Sequence, residues 1–540
     1  MTSSSPHIVC FAPYTDWSIH SAQQVTVLHG LRLRGATVSY VTCDGVFSDC
    51  DLFQKATGAA QGRQPNSCLI CQSSVAARLA AWNMPYRWLG TWLTTQDRTD
   101  VGRWIANLSP ENYLSASLNG WAIGEWVQSS VRTELRCNVF DMEDPKTSST
   151  YASYLYSGAL AALGLDRLFE EEKPDAQLLF NGRMAPTRIA LELAKQRGIR
   201  TLCEERSAVA GNLILFNNVN CLDVDHVDQL WDEWKDIPLT PDEFQHIANV
   251  LEERRSGAGG DVSVFGASRQ AISEVSNALS LDQNKPLWVL FTSSEDEIAD
   301  KAGISSIFPT QTGWIEETVK YAGSHQDIQL VIRVHPNVGG NKALGDNTEG
   351  MAYFEALATS APDNVRVVQP GDTLSSYSLA EMCDLALVWY STIAIETATL
   401  GRRVIRAGGF LLENRDFIYA PESPPAYPGL LDQMREEATT EELLEIAVGA
   451  WRFAYIWYLR RTIPFPLVAQ PEWYVGEMAW NNPQELVPGS DSSLDRICEI
   501  FMSGSPVHKT LDGHAPGSKI EEQKLVLEHI RPFLKESITA

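Results

Sequence analysis

The chain has 540 residues, 44% of them hydrophobic, and a formal net charge of -25. That is enough apolar material for two or more domains with cores of their own, while the acidic balance excludes a surface that neutralises nucleic acid, which needs clustered Lys and Arg. The opening MTSSSPHIVCFAPYTDW has no basic leader followed by an apolar block, and no segment approaches the roughly 18 apolar residues of a membrane span, so a cytoplasmic protein with a small-molecule ligand is expected.

In chain order, HIVCFAP is a short β-rich run, and HSAQQVTVLHGLRLRG sets Val25, Leu28 and Leu31 at helical spacing before a glycine. ATVSYVTC returns to strand composition. The same strand, helix, strand order recurs in AQLLFNGR, TRIALELAKQRG and IRTLCEE, as a parallel sheet with crossover helices requires. DQLWDEWKDIPLTPDEFQHIANVLEERRSGAGG is helical, polar and glycine-containing, and predicts a connector. The alternation restarts near Lys285 with PLWVLFTSS, IQLVIRVHP, NVRVVQP, LALVWYS and RRVIRAGG. After Thr439, which stands three residues before Glu442 in capping-box spacing, the pattern is helical. The aromatic run AVGAWRFAYIWYLRR predicts a helix packed across a domain seam. The expectation is an α/β chain with a first domain over 1–280 that includes the connector, a second over 284–440, and helices over 441–540 that cross back to the first.

Four of the ten cysteines cluster: Cys43, Cys50, Cys68 and Cys71. The last two form C-x-x-C, so a structural four-thiolate zinc site is chemically open to them, as is a plain set of buried or redox-active thiols.

Candidate site residues come from strand ends. Pro336 has no N–H for a ladder bond, so it ends the strand VIRV and leaves His335 at the carboxyl edge of a sheet, where open α/β sheets bind ligands. About fifty residues later LALVWYSTIAIETATLG delivers Ser391 and Thr392 to a helix start, where hydroxyls and backbone N–H groups suit a phosphate; a simple N-cap is the alternative. Glu396 does not fit a capping box and is placed to accept hydrogen bonds from ribose hydroxyls. Ser293 and Ser294, in FTSSEDE, face the same crevice or cap the next helix.

The pairing of R-x-H-P with S-T-x-x-x-E-x-x-x-x-G resembles the nucleotide-binding half of GT-B glycosyltransferases, and most of all the capsule and surface-polysaccharide enzymes related to CMP-sugar-using Kdo transferases and sialyltransferases. The resemblance implies two Rossmann-like domains facing a central cleft, with C-terminal helices across the seam. It also implies a CMP-, UDP- or GDP-linked sugar donor contacted by His335, Pro336, Ser391, Thr392 and Glu396, and a glycan or lipid-linked acceptor. Peripheral contact with membrane-bound assembly machinery at the inner membrane face goes with that acceptor. With neutral or cationic donors at the phosphate, no metal or other cofactor is required for catalysis.

Transfer to a hydroxyl then needs a base from the opposite domain. Asp16 and His20, after the first strand, offer one. Glu205, in Glu204-Glu205-Arg206, offers another: it resembles a carboxylate-carboxylate-glycine motif of the sialyltransferase-like enzymes, with Arg206 in the glycine's place. Asn181 and Arg183 end another strand and are candidates for positioning the acceptor or a donor carboxylate. An isomerase of the nucleotide-sugar 2-epimerase kind, phosphoglycerol transfer from a CDP-activated donor, and a non-catalytic glycan-assembly subunit are the alternative readings.

Overall fold

A computed structural model describes residues 5–52, 67–257, 269–295, 306–340, 347–472, 474–508 and 510–534. The strands of the first half are β1 (His7–Ala12), β2 (Thr37–Thr42), β3 (Tyr86–Trp88), β4 (Ala176–Phe180), β5 (Arg200–Arg206) and β6 (Asn212–Asn217). Those of the second are β7 (Leu287–Phe291), β8 (Gln329–Arg333), β9 (Val365–Val368), β10 (Leu385–Val388) and β11 (Arg403–Arg406), and β12 (Ile463–Pro464) follows them. They make two sheets, ordered β12-β6-β5-β4-β1-β2-β3 and β11-β10-β7-β8-β9.

Among themselves β1 to β5 pair in parallel, and so do β7 to β11, while β6 joins β5 antiparallel. Counted from its own first strand, each half has the order 3-2-1-4-5 of a Rossmann-like sheet. The reason is in the strands. LWVLF and QLVIR are buried at every position, which suits a parallel sheet covered by helices on both faces and not an antiparallel sheet with one wet face. The chain is therefore α/β with two Rossmann-like halves. Each half has a topological switch point, between β1 and β4 in the first and between β7 and β10 in the second.

Two elements sit differently from the sequence expectation. The connector helices, Asp225–Trp234, Pro241–Arg255 and Ile272–Leu279, pack with β7, β10 and the Thr440–Tyr455 helix in one hydrophobic cluster. They belong to the second half, because Trp231, Ile247 and Val275 find their apolar partners there. Glu396, expected to accept from ribose hydroxyls, is only 2% exposed. It lies on a helix of six residues, Ile393–Ala398, and its buried carboxylate accepts hydrogen bonds from Arg254 Nε (3.0 Å) and Tyr458 OH (2.8 Å). It thus ties the connector to the sheet from the helical flank, away from the crevice.

The C-terminal segment crosses the seam. Thr439 caps the Thr440–Tyr455 helix by accepting from Glu442 N, while the Glu442 carboxylate accepts from Tyr419 OH in place of closing the box. The aromatic run is core: Trp451, Phe453 and Tyr458 are fully buried. The chain then adds β12 antiparallel to β6, lays the hairpin Val468–Glu472/Val475–Met478 on the helix Ser18–Leu33, and packs the helix Ser492–Ser503 on the same helix. It returns to the second half as Lys519–Ile530, where Glu522 receives Arg452 Nε at 2.9 Å and Leu239 N at 2.9 Å. No helix among the described residues is long and apolar enough to cross a membrane.

Replacing Glu396 by Ala would leave the Arg254 guanidinium buried without its counter-charge, a loss of about 3–5 kcal/mol of stability. Denaturant unfolding should show that loss while nucleotide affinity, corrected for the folded fraction, stays at the wild-type level.

Candidate functional site

At the switch point of the first half, β1 hands the chain to the helix Ser18–Leu33, and His20 lies in its first turn, its ring 4.0 Å from that of Phe180 at the end of β4. His20 Nδ1 is 3.0 Å from Glu204 Oε2, and Nε2 is 4.0 Å from Glu205 Oε1. Gln24, one helical turn on, donates to Glu204 Oε1 at 3.0 Å. Asn181 Nδ2 donates to Glu205 Oε2 at 3.0 Å, and Arg206 N donates to Glu205 Oε1 at 2.9 Å.

The two neighbouring carboxyls are driven apart. The Glu204 side chain is 3% exposed, and burial, then the charge of Glu205, holds its carboxyl well above the usual carboxylate range. Burial also acts to raise Glu205, but His20, Arg206 and the bond from Asn181 outweigh it and hold Glu205 below that range. Glu205 is also the member that meets solvent, at 21% side-chain exposure. Two neighbouring carboxyls displaced in opposite directions, the sealed one upward and the accessible one downward, follow the pattern by which two like groups take different roles. Sequence reasoning singled out His20 and Glu205 and missed that Glu204 completes the cluster.

Asn181 and Gly182 both adopt left-handed backbone (φ +61° and +67°), and a Cβ at Gly182 would lie 2.7 Å from Cys203 Sγ, so this turn demands its glycine. The turn carries Arg183 to a hollow of about 250 Å³ lined also by Trp126, Gln128, Ser129 and Asn220. Asp16 goes elsewhere. Its carboxylate accepts from Ser74 Oγ at 2.8 Å and pairs with Arg78 at 3.3 Å, on the helix Ser67–Ala81. These contacts hold Asp16 toward the helix Ser67–Ala81 and apart from the His20–Glu204–Glu205 cluster.

The second half gathers its candidates through the exit of β7, which lies between β8 and β10. Thr292 Oγ1 accepts from His335 N (2.8 Å), Ser294 Oγ from Asn337 Nδ2 (3.2 Å) and Ser293 Oγ from Tyr390 N (3.5 Å). Three successive hydroxyls thus join the His335 turn on one side to the Tyr390–Ser391 turn on the other. Pro336 opens the short turn Pro336–Gly339, and His335 Nδ1 accepts from Asn337 N at 3.2 Å. Burial first, then the guanidiniums of Arg333 and Arg136, pull the His335 pKa down to about 4. The ring is therefore neutral with its proton on Nε2, a hydrogen-bond donor.

The helix-start cradle expected at Ser391 and Thr392 is reduced. Ile393 N donates to Ser391 Oγ (3.4 Å), Ala394 N to Ser391 O (3.1 Å) and Ile395 N to Thr392 O (3.0 Å), so those N–H groups are spent inside the turn. What the turn offers a ligand is side-chain hydroxyl.

One helix connects the two edges. On Ile123–Leu135, Ser130 Oγ accepts from Ala185 N at 2.8 Å, beside the Asn181–Arg183 turn. Just past its end, Arg136 Nη2 donates to the carbonyl of Asn337 at 2.6 Å, beside His335. Six residues of helix rise about 9 Å, so the two carboxyl edges face one another across a short gap. Leu222, next to Cys221, whose N–H bonds Asn181 O at 2.9 Å, packs on the second half's core and closes the same seam.

Cys43, Cys50, Cys68 and Cys71 lie near one another, but among the described residues no three His, Cys, Asp or Glu side chains are placed to hold a metal ion. Burial raises Cys43 to about 11 and Cys71 to about 12. A cavity of about 740 Å³ lies on the opposite, amino edge of the second sheet, by Leu287, Asp384 and Arg403.

No family model matches the sequence, and no curated protein matches it. Among solved structures, a beta Kdo 2,4 transferase, KpsC, of Thermosulfurimonas dismutans is similar at 12% identity and a TM-score of 0.34, over 58% of this chain and 88% of that one. A UDP-GlcNAc 2-epimerase from Neisseria meningitidis bound to UDP-GlcNAc is similar at 12% identity and 0.28, over 83% and 97%. A glycosyltransferase of a Streptomyces species, SsfS6, is similar at 10% identity and 0.26, over 83% and 96%. The chemistry of the site is therefore drawn from this chain's own residues.

The folded His335 stays neutral down to about pH 4, whereas the unfolded side chain protonates near 6.5. Between those values the unfolded chain binds more protons, so stability falls as the pH is lowered through that window. His335→Gln should make the fall shallower by up to about 1.4 kcal/mol per pH unit. Urea unfolding at pH 7 and pH 4.5 measures it; an unchanged difference would remove the depressed imidazole from the account.

Proposed function

We propose that the protein transfers a glycosyl group from a nucleotide-activated sugar to an acceptor hydroxyl. The observation that carries this reading is the facing of two chemically complementary edges, joined through the helix from Ser130 to Arg136. One edge presents a neutral imidazole with an Nε2 proton and the hydroxyls of Ser294, Ser391 and Thr392; the other presents an ionised Glu205 held by Asn181 and Arg206.

Breaking the bond from a sugar to its nucleotide places negative charge on the departing phosphate. Donors aimed at that oxygen, His335 Nε2–H and the hydroxyls, stabilise it as the charge develops. The acceptor hydroxyl loses its proton as it attacks the anomeric carbon, and Glu205 is the carboxylate in a state to take it. Glu204, sealed and protonated, keeps the imidazole of His20 in place between the two carboxyls. The hollow beside Arg183 adjoins Asn181 and suits the acceptor side of the transfer. The motif resemblance adds that the acceptor is part of a surface glycan or its lipid-linked precursor.

Incubation with CMP-, UDP- and GDP-sugars should release free nucleotide with the matching donor, faster when acceptor glycan is present. Isomerised sugar formed without acceptor would replace transfer by epimerisation, and no thermal shift with any nucleotide would end both readings. His335→Ala should weaken nucleotide binding by about 1.5–3 kcal/mol, roughly 10- to 150-fold. Glu205→Gln should lower kcat by about 10²–10⁴ with binding intact, while Glu204→Gln, an amide in place of a protonated carboxyl, keeps most of the turnover. Equal losses in the two glutamine variants would overturn the division of roles.

A further inference from the structure

The buried guanidiniums of Arg254 and Arg415 each meet a carboxylate, Glu396 and Asp228. Arg461 is different. It is 8% exposed, its Nε donates to Trp457 O at 2.8 Å and its Cζ lies 3.4 Å from the centre of the Trp457 ring, yet among the described residues no carboxylate pairs with it. Arginine keeps its charge when buried, so a desolvated guanidinium without a carboxylate leaves a positive field unanswered.

Three more basic side chains gather there. His508 stacks on His226, the ring centroids 4.8 Å apart and the planes 12° from parallel. Arg496, on the helix Ser492–Ser503, donates to the carbonyl of Val507 at 2.6 Å, next to His508. Burial first, then the charges of His226, Arg461 and Arg496, pull the His508 ring down to about 3. His226, on the connector helix Asp225–Trp234, has Nδ1 at 3.8 Å from Asp223 Oδ1, while its buried Nε2 bonds nothing. Arg496 and His508 line a hollow of about 410 Å³ together with Ser505 and Thr510; Glu499 and Asp512, which also line it, are exposed. That volume suits a small ligand.

We propose that Arg461, Arg496, His226 and His508 form an oxyanion site, apart from the His335 edge, that takes a phosphate group, free or as the ester of a small molecule lodged in the hollow. Arg496 and an N–H of His508 meet the phosphate oxygens from the wall, in the geometry that a guanidinium fork offers. Arg461 and His226 supply the positive field behind them. The four side chains come from the connector helix and the C-terminal segment, not from the strand ends that gather the crevice residues. A phosphate seated there pins that segment to the connector of the second half.

Calorimetric titration of the full chain at physiological chloride, with inorganic phosphate, glycerol 3-phosphate and glycerol as probes, tests the site. Both phosphates should bind saturably and glycerol should not. Tighter binding of glycerol 3-phosphate marks an ester as the preferred form, and equal or tighter binding of phosphate marks the free ion. Arg496→Gln and His508→Gln should each weaken phosphate binding roughly tenfold or more, whereas His335→Ala, which alters only the crevice, should leave it in place. If Arg496→Gln does not fold, His508→Gln carries the comparison. No phosphate binding by the wild type overturns the proposal, as does wild-type affinity in the folded Arg496 and His508 variants. Binding that is lost in His335→Ala and kept in those variants assigns the phosphate to the crevice and overturns it too.

Discussion

A parallel strand can only be followed by another if the chain returns along the outside of the sheet, so each strand hands over to a helix or turn at its carboxyl end. That constraint organises this protein. Side chains distant in sequence, His20, Asn181 and Glu205 in one half and Ser294, His335 and Ser391 in the other, all stand just beyond or at the ends of parallel strands. They meet because the topology leaves them no other edge. The order 3-2-1-4-5, repeated in both halves, also separates the outgoing crossovers at the switch points, and the crevice so opened lies where the polar side chains stand.

Within that frame desolvation sorts the charges. Glu204 and Glu205 are sequence neighbours, yet one loses its charge to burial while the other keeps it with help from an imidazole, an arginine and an amide. At His335 burial and two guanidiniums act together to discharge the ring. The chain's overall acidity has no bearing on these local outcomes, since screening and distance erase it within about 10 Å. What matters is which few groups share a dry space.

Much of the fold was legible because buried parallel strands write themselves as unbroken apolar runs, and LWVLF, QLVIR and LALV did so. His335 was legible because proline leaves little choice about where a strand stops. Glu396 was misread for a physical reason: its spacing from Ser391 is a local fact, but its partner Arg254 is 142 residues away and reaches it through packing of a helix assigned by composition to the other domain. The environment of Glu204 was equally hidden, since His20 lies 184 residues earlier. Arg136 gave no local sign at all. A left-handed turn at a helix end is invisible when arginine fills it, and its contact is 201 residues distant. Asp16 looked like its neighbour His20 in sequence, but residues 16 and 20 straddle the start of a helix, and Asp16 meets the helix Ser67–Ala81 while His20 meets the strand Arg200–Arg206.

The C-terminal segment leaves the second half at Tyr455, becomes an edge strand of the first sheet, rests on the helix that carries His20, and comes back through Glu522. Topologically this is a belt, fastened at both ends to one lobe and looped around the other. Drawing the lobes apart would have to break the β12–β6 pairing or the Glu522 contacts, so the chain's own tail opposes their separation.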